Sequence, residues 1–296
     1  MTTPGRALDL PVEGGLLRVL RFGEGPRVAV ALHGITASAM AFPVIARHLP
    51  PDWSLFAPDL RGRGGSADLP GPFGLKRHAA DVCRIVADRA AGGMVLVGHS
   101  MGAYVAVLAA AAAPALFSRV VLMDGGLSAA LPEGADPDEV LAAVVGPALT
   151  RLAQTFPSEQ AYLDFFAAHP AFTEWSGDIE AYVRYDLTGP AGAMRSRARE
   201  DAVREDGRDL LLNAETIGAA LRSLTMPVLL LTAPAGMLGQ PPGFLAEPLV
   251  AHWRQQLPRL QVESVPDTNH YTLVFAPHSA ATVAARITDP STWPGP

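Results

Sequence analysis

The stretch that most constrains this chain is Met94-Val95-Leu96-Val97-Gly98-His99-Ser100-Met101-Gly102-Ala103-Tyr104. Its opening apolar run fits a buried strand, and the alanine-rich run that follows, stopped by Pro114, fits a buried helix. Between them Gly98-x-Ser100-x-Gly102 leaves room for a very tight turn. A serine pushed out on such a turn takes strained backbone angles, so the residues two positions to either side must lack bulk. The first N–H groups of the next helix then face the space beside the hydroxyl. A nucleophile placed this way needs other parts, and the rest of the chain can be searched for them in order.

The pattern elsewhere is that of strands alternating with helices. Residues 7–22 alternate loosely around Gly14-Gly15, which predicts an opening antiparallel hairpin. Arg27 to Leu32 is a continuous apolar strand ending at His33-Gly34, as expected where both faces of a sheet are covered. A helix near Phe42–His48 and a strand at Ser54–Ala57, ending at Pro58-Asp59, come next. A helix over 75–90, the strand at 94–98, a helix over 101–113 and a strand at Arg119–Met123, ending at Asp124-Gly125-Gly126, complete the first half. This rhythm implies βαβ units and a mainly parallel sheet with helices on both faces.

The rhythm breaks between Leu127 and Ser223, where helical patterns dominate: 137–152, 158–168, 178–187 and 213–221, with Ser158 and Asp178 as N-caps. The charge-rich stretch Arg195–Asp209 reads as a solvated helix or loop. The segment carries Phe156, Tyr162, Phe165, Phe166, Phe172, Trp175 and Tyr182, so it is expected to pack as an inserted subdomain, with a minority of these rings lining a pocket. The expected division is a core of residues 1–126 and 224–296 and a helical insertion of residues 127–223. After it the sheet resumes at Pro227–Thr232, a helix is expected over 245–257, a last strand over 261–266 and a closing helix near 279–287.

Composition narrows the classes. A chain of 296 residues, 49% hydrophobic and 18% charged, can bury a large core. The formal net charge of −6 argues against a nucleic-acid binder, which shows a basic face. The loop Arg61-Gly62-Arg63-Gly64-Gly65-Ser66 superficially resembles a phosphate cradle but lacks the lysine of a P-loop. The lone cysteine, Cys83, excludes an internal disulfide and reads as inert core. No histidine pair has zinc-ligand spacing, and neither a metal nor a cofactor is expected. Residues 1–10 lack a signal-peptide pattern and no apolar run reaches membrane-spanning length, so a soluble cytoplasmic protein is the expectation.

Taken together, His33-Gly34 after an early strand, Asp59-x-Arg61-Gly62-x-Gly64-x-Ser66 after the next, Gly98-x-Ser100-x-Gly102, and His270 after the last strand resemble the α/β-hydrolase superfamily over nearly the whole chain. The resemblance implies the α/β-hydrolase fold with a helical cap inserted after the sixth strand. It implies Ser100 as nucleophile and His270 as its base, against the plain alternative of a surface-loop histidine. It places the oxyanion hole at the backbone N–H of Met101 and at that of Ile35, with Thr36 the neighbouring choice. His33, His99, Asp59 and Arg61 read as structural.

The acid departs from the superfamily's usual pattern. The stretch after the seventh strand, Thr232 to Gly239, holds no carboxylate. Asp124, after the sixth strand, is therefore assigned the role, with Glu247 as second choice and Asp267, three residues before His270, as third. The plain alternative for Asp124 is that it only ties down a loop.

The expected activity is hydrolysis of a small carboxylic ester or lactone through an acyl-enzyme on Ser100. The alternatives are a carbon–carbon bond hydrolase or perhydrolase using the same parts, and a ligand-binding or signalling protein with a near-idle triad. Neither nucleic acid nor membrane is expected as a partner, and the oligomeric state stays open.

Overall fold

The computed structural model describes residues 5–87 and 93–293. The expected end of the 75–90 helix falls partly in 88–92, outside the described residues. The sheet has eight strands: β1 (Arg6–Val12), β2 (Gly15–Phe22), β3 (Arg27–Leu32), β4 (Trp53–Pro58), β5 (Met94–His99), β6 (Phe117–Met123), β7 (Val228–Thr232) and β8 (Leu260–Ser264). Their order is β1-β2-β4-β3-β5-β6-β7-β8. The β1–β2 hairpin is antiparallel and β2 joins β4 antiparallel, while all other neighbours run parallel.

The unbroken apolar strands follow from burial on both faces. Leu96 and Leu122 belong to the cluster packed by helices α2 (Leu75–Val86) and α3 (Met101–Ala112), whereas Val95 and Val97 belong to the cluster packed by α1 (Pro43–Arg47), α10 (Thr272–Phe275) and α11 (Pro277–Thr288). Such residues alternate between two interiors, so neither face calls for polar side chains. Helix α3 follows the same logic. Its small side chains lie between the sheet and α2, and all from Met101 to Ala110 are buried.

The register matters most for function. Leu32 stands opposite Gly98, Gly98 opposite Leu122, and Leu122 opposite Leu230. The loops after β3, β5, β6 and β7 therefore leave the sheet along one edge, the edge at which open parallel sheets bind ligands.

Between β6 and β7 run α4 (Pro137–Leu152), α5 (Glu159–Ala167), α6 (Gly177–Asp186), α7 (Glu200–Leu212) and α8 (Ala214–Ser223). Ser158 caps α5 as expected, its hydroxyl accepting from Ala161 N–H at 3.1 Å. The cap of α6 is Ser176 rather than Asp178: the extended backbone of Ser176 lets its hydroxyl accept from Ile179 N–H at 3.2 Å. Asp178 sits in the first turn and pairs with Arg47 at 2.6 Å. The 195–209 stretch is less solvated than its charges suggest. Residues 195–196 pair with 187–188, and Asp206 on α7 is fully buried. Ile217 and Leu221 of α8 sit in the same cluster as Val105 of α3 and Trp253 of α9 (Glu247–Gln256), so α8 lies on the core.

Cys83 is half-buried rather than core, and burial pushes its thiol up to about 11, which keeps it protonated and unreactive.

Candidate active site

Ser100 has φ 53° and ψ −123°, a strained conformation for a residue with a side chain. Its N–H donates to Met123 O at 2.9 Å, which ties the elbow to the end of β6. The flanking glycines are explained by close approach. A Cβ on Gly98 would lie 2.3 Å from Gly102 O, and one on Gly102 would lie 2.1 Å from Leu32 O. Gly34 is close on the other side, though less severely, where a Cβ would stand 3.3 Å from Ser100 Cβ and 3.6 Å from its Oγ. The loop after β3 is thus pressed against the serine.

His270 comes from the loop after β8, shaped by reciprocal caps. Asn269 N–H donates to Thr272 Oγ1 at 2.7 Å, and Asn269 Oδ1 accepts from Tyr271 and Thr272 N–H at 2.9 Å each. The His270 ring is 2% exposed and packs against Phe244 and His99, with centroids 4.6 and 4.7 Å away. Its Nδ1 donates to Asp124 Oδ2 at 2.7 Å. A carboxylate only accepts, so the proton is on Nδ1 and the Nε2 lone pair is free to accept one.

Asp124 is wholly buried and has φ 47°. Its N–H donates to Leu231 O at 2.8 Å, which fastens the turn after β6 to β7 and aims the carboxylate at His270. Glu247 and Asp267 are both exposed. Of the three carboxylates considered from the sequence, Asp124 is the one paired with His270.

The two expected oxyanion donors lie on the rim of the same cavity as Ser100 and His270. Among the described residues no backbone carbonyl accepts from the N–H of Ile35 or of Met101. His33 braces the loop behind Ile35. Leu60 N–H donates to His33 Nε2 at 3.0 Å, so the proton sits on Nδ1, which donates to Gly34 O at 2.8 Å. Burial lowers its pKa to about 3 and keeps the ring neutral. His99 Nε2 donates to His270 O at 2.9 Å, and burial, then the nearby His270, hold it well below the ordinary imidazole range. Asp59 accepts from Ala39 N–H, Gly65 N–H and the Tyr185 hydroxyl at 2.7, 2.7 and 2.6 Å, while buried Arg61 pairs with Asp81. Both are braces away from Ser100.

The cavity has a volume of about 320 Å³ and apolar walls from Leu141 and Val145 of α4, Leu211 of α7, and Met237, Phe244 and Leu249. No lysine or arginine is among its described lining residues. A second cavity of about 750 Å³ adjoins it, sharing Thr36, Val145, Ala148, Tyr182, Met237 and Tyr271. The insertion's aromatics line these spaces more than the sequence suggested. Tyr182 borders both cavities, and Phe165, Phe166 and Phe172 border the second, while Phe156 and Tyr162 are buried in edge-to-face contact. Phe244, against His270, comes from the Pro/Gly-rich loop and carried no sequence signal. Among the described residues there is no cluster of three or more His, Cys, Asp or Glu arranged to hold a metal, and no helix long and apolar enough to cross a membrane.

A parallel sheet of this strand order, with a serine on a strained turn after β5 and a histidine after β8, defines a class. The chain belongs to the alpha/beta hydrolase family, whose model matches residues 29–286. Among curated proteins it is similar to a lipase of Mycobacterium tuberculosis, 34% identical over 109 residues, 36% of this chain and 41% of the relative. It is also similar to the 2-(acetamidomethylene)succinate hydrolase of Mesorhizobium japonicum (34% over 108 residues, 36% and 38%) and the N-formylmaleamate deformylase of Pseudomonas putida (34% over 110 residues, 37% and 41%). The chain thus spans about two fifths of the length of these relatives. In structure it resembles an E-2-(acetamidomethylene)succinate hydrolase, with TM-score 0.77, 24% identity and coverage of 95% and 99% of the two chains. It also resembles the thioesterase domain of the curacin biosynthetic pathway, with TM-score 0.78, 18% identity and coverage of 97% and 100%.

Proposed function

We propose that this hydrolase acts through an acyl-enzyme on Ser100, with His270 as base, Asp124 as the acid that orients it, and the N–H groups of Ile35 and Met101 as the oxyanion hole. The observation that carries the reading is the 2.7 Å His270–Asp124 hydrogen bond, which leaves Nε2 free at a cavity also lined by Ser100. Nε2 takes the proton as Ser100 Oγ attacks the acyl carbon, and the carbonyl oxygen becomes an oxyanion facing the loop N–H groups. Collapse breaks the bond to the leaving group, which receives the proton from His270. Water then repeats the sequence and frees the acid and the serine. Asp124 keeps the proton on Nδ1 and stabilises the imidazolium.

The apolar walls favour a neutral substrate with an apolar acyl part, and helices α4–α7 are proposed as the cap that encloses it. The bond cleaved is less narrowly indicated than the sequence suggested. Two relatives are named for a succinate and a maleamate rather than for an ester, which favours another bond on the same machinery over an ester or lactone. Those names denote anions, whereas the described lining of the cavity at Ser100 holds no lysine or arginine and Arg151, which borders the adjoining cavity, is already paired with Asp186, which favours an uncharged substrate.

The test is a panel of nitrophenyl esters of increasing acyl length, lactones, N-acyl enamines and a vinylogous diketone, run with wild type and Ser100→Ala and with products identified. Turnover that depends on Ser100 is expected, and its product distinguishes the bond. Identical rates for both proteins on every substrate would sink the reading. One burst per site without turnover would instead mark a binding protein with an idle triad.

A further inference from the structure

The carbonyls of the loop beside Ser100 are held from outside the cavity. Gly34 O accepts from His33 Nδ1 at 2.8 Å and from Ala37 N–H at 3.1 Å. Ile35 O accepts from Arg63 Nε at 3.0 Å, and Thr36 O accepts from Arg151 Nη2 at 3.4 Å. A trans peptide sets each N–H opposite the preceding carbonyl. The held Gly34 carbonyl therefore decides which way the Ile35 N–H faces, while Arg63 on Ile35 O sets the Thr36 N–H and Arg151 on Thr36 O sets the Ala37 N–H, the group that itself holds Gly34 O.

Both guanidiniums are buried, 0% and 3% exposed, and a buried cation needs a partner. Each finds it in the insertion. Arg63 Nη1 lies 2.5 Å from Asp206 on α7, and Arg151 Nη1 lies 2.5 Å from Asp186, the last residue of α6. The aspartates are held in turn. Asp206 accepts from Gly74 N–H at 2.6 Å and His78 Nε2 at 2.9 Å, while Asp186 accepts from the Tyr162 and Ser196 hydroxyls at 2.5 and 2.7 Å. An arginine fork suits the task at position 63, because Nε serves Ile35 O while Nη1 serves both Asp206 and Arg61 O.

We propose that Arg63 and Arg151 are positioning residues of the oxyanion loop, and that Asp206 and Asp186 make the loop's geometry depend on the seating of α6 and α7. Neither arginine borders the cavity at Ser100, though Arg151 also borders the adjoining one; each acts on the loop through a carbonyl. The inference rests on the acyl-transfer reading of Ser100.

The experiment compares wild type with Arg63→Met/Asp206→Asn and Arg151→Met/Asp186→Asn, which remove each pair's charges together. kcat is measured per site titrated with an organophosphate, alongside KM on a nitrophenyl butyrate and Ki for an alkyl trifluoromethyl ketone, whose serine adduct carries an oxyanion. Each double variant is expected to lower kcat about 10- to 100-fold, less than outright loss of a donor. KM should stay within about twofold and Ki should rise by the same factor as kcat falls, because the loss lies in the oxyanion state alone. A folded variant with unchanged Ki, or with the loss carried by KM, would overturn the proposal. Should the double variants not fold, Arg63→Lys and Arg151→Lys keep the charge but lose the fork, and the same split is expected in smaller measure. Absence of Ser100-dependent turnover in wild type would instead remove the acyl-transfer reading itself.

Discussion

His270 Nδ1 donates to Asp124 Oδ2 over 2.7 Å, joining residues 146 positions apart in the chain. The bond is possible because the turns after β6 and β8 both open at the same sheet edge, with β7 between them. Asp124 N–H is anchored to Leu231 O of that intervening strand, so the carboxylate sits on a fixed frame.

Asp124→Asn should lower kcat by about 10⁴-fold, since an amide can present its N–H to Nδ1 and favour the wrong tautomer. Glu247→Gln should stay near wild type, because Glu247 is exposed in the first turn of α9. Steady-state kinetics on the best ester of the panel checks both, and the reverse ranking would remove Asp124 from the site.

Gly102→Ala should cost about 3 kcal/mol or more, because the new methyl meets the rigid carbonyl of Leu32 at 2.1 Å. Urea unfolding of the variant, or collapse of its soluble yield, provides the measurement. A midpoint equal to wild type would mean that the elbow is looser than its geometry.

Acid should weaken the fold early. His33 is neutral in the native state with its pKa lowered to about 3 from an ordinary 6.5, and His99 is shifted the same way. The unfolded chain therefore binds the extra protons, so this stability is fully present above about 6.5 and is lost as pH falls through that value toward 3. Each such proton contributes a slope of up to about 1.4 kcal/mol per pH unit. Urea midpoints between about pH 7.5 and about pH 4.5 should fall, and less steeply in His33→Asn. A flat profile in wild type would contradict the buried neutral histidines. Asp206, held at about 2 by Arg63 and His78 against the cost of burial, adds a separate loss only below its ordinary 3.8.

Ala148→Phe should shorten the accepted acyl chain. Ala148 borders both cavities, so a larger side chain there narrows the passage between them. kcat/KM on nitrophenyl octanoate should drop about 10-fold or more while that on the acetate changes little. Equal losses on both would mean that the second cavity is not used by the acyl chain.

Much of the fold was legible because burial on both faces and tight turns leave local marks. The strands from Arg27 to Thr232 stand out as apolar runs, and Gly98 and Gly102 mark a turn that tolerates no Cβ. Less legible was anything that depends on what a side chain meets across the fold. Asp206 looks like one more charge on a polar helix, yet it is buried against Arg63 and His78. Phe244 sits in an irregular loop and still forms one wall of the His270 site.

The sequence by itself determined the alternation of strand and helix, the elbow at Ser100 and the placement of His270 after the last strand, because those features arise from hydrophobic period and backbone sterics among near neighbours. Only the tertiary structure decided that Asp124, not Glu247 or Asp267, meets His270, that the helical insertion's aromatics wall two joined cavities, and that Arg63 and Arg151 hold the loop carbonyls. Those outcomes depend on the distance and direction between groups 28 to 146 residues apart in the chain, which strand register and burial set and which no local pattern encodes.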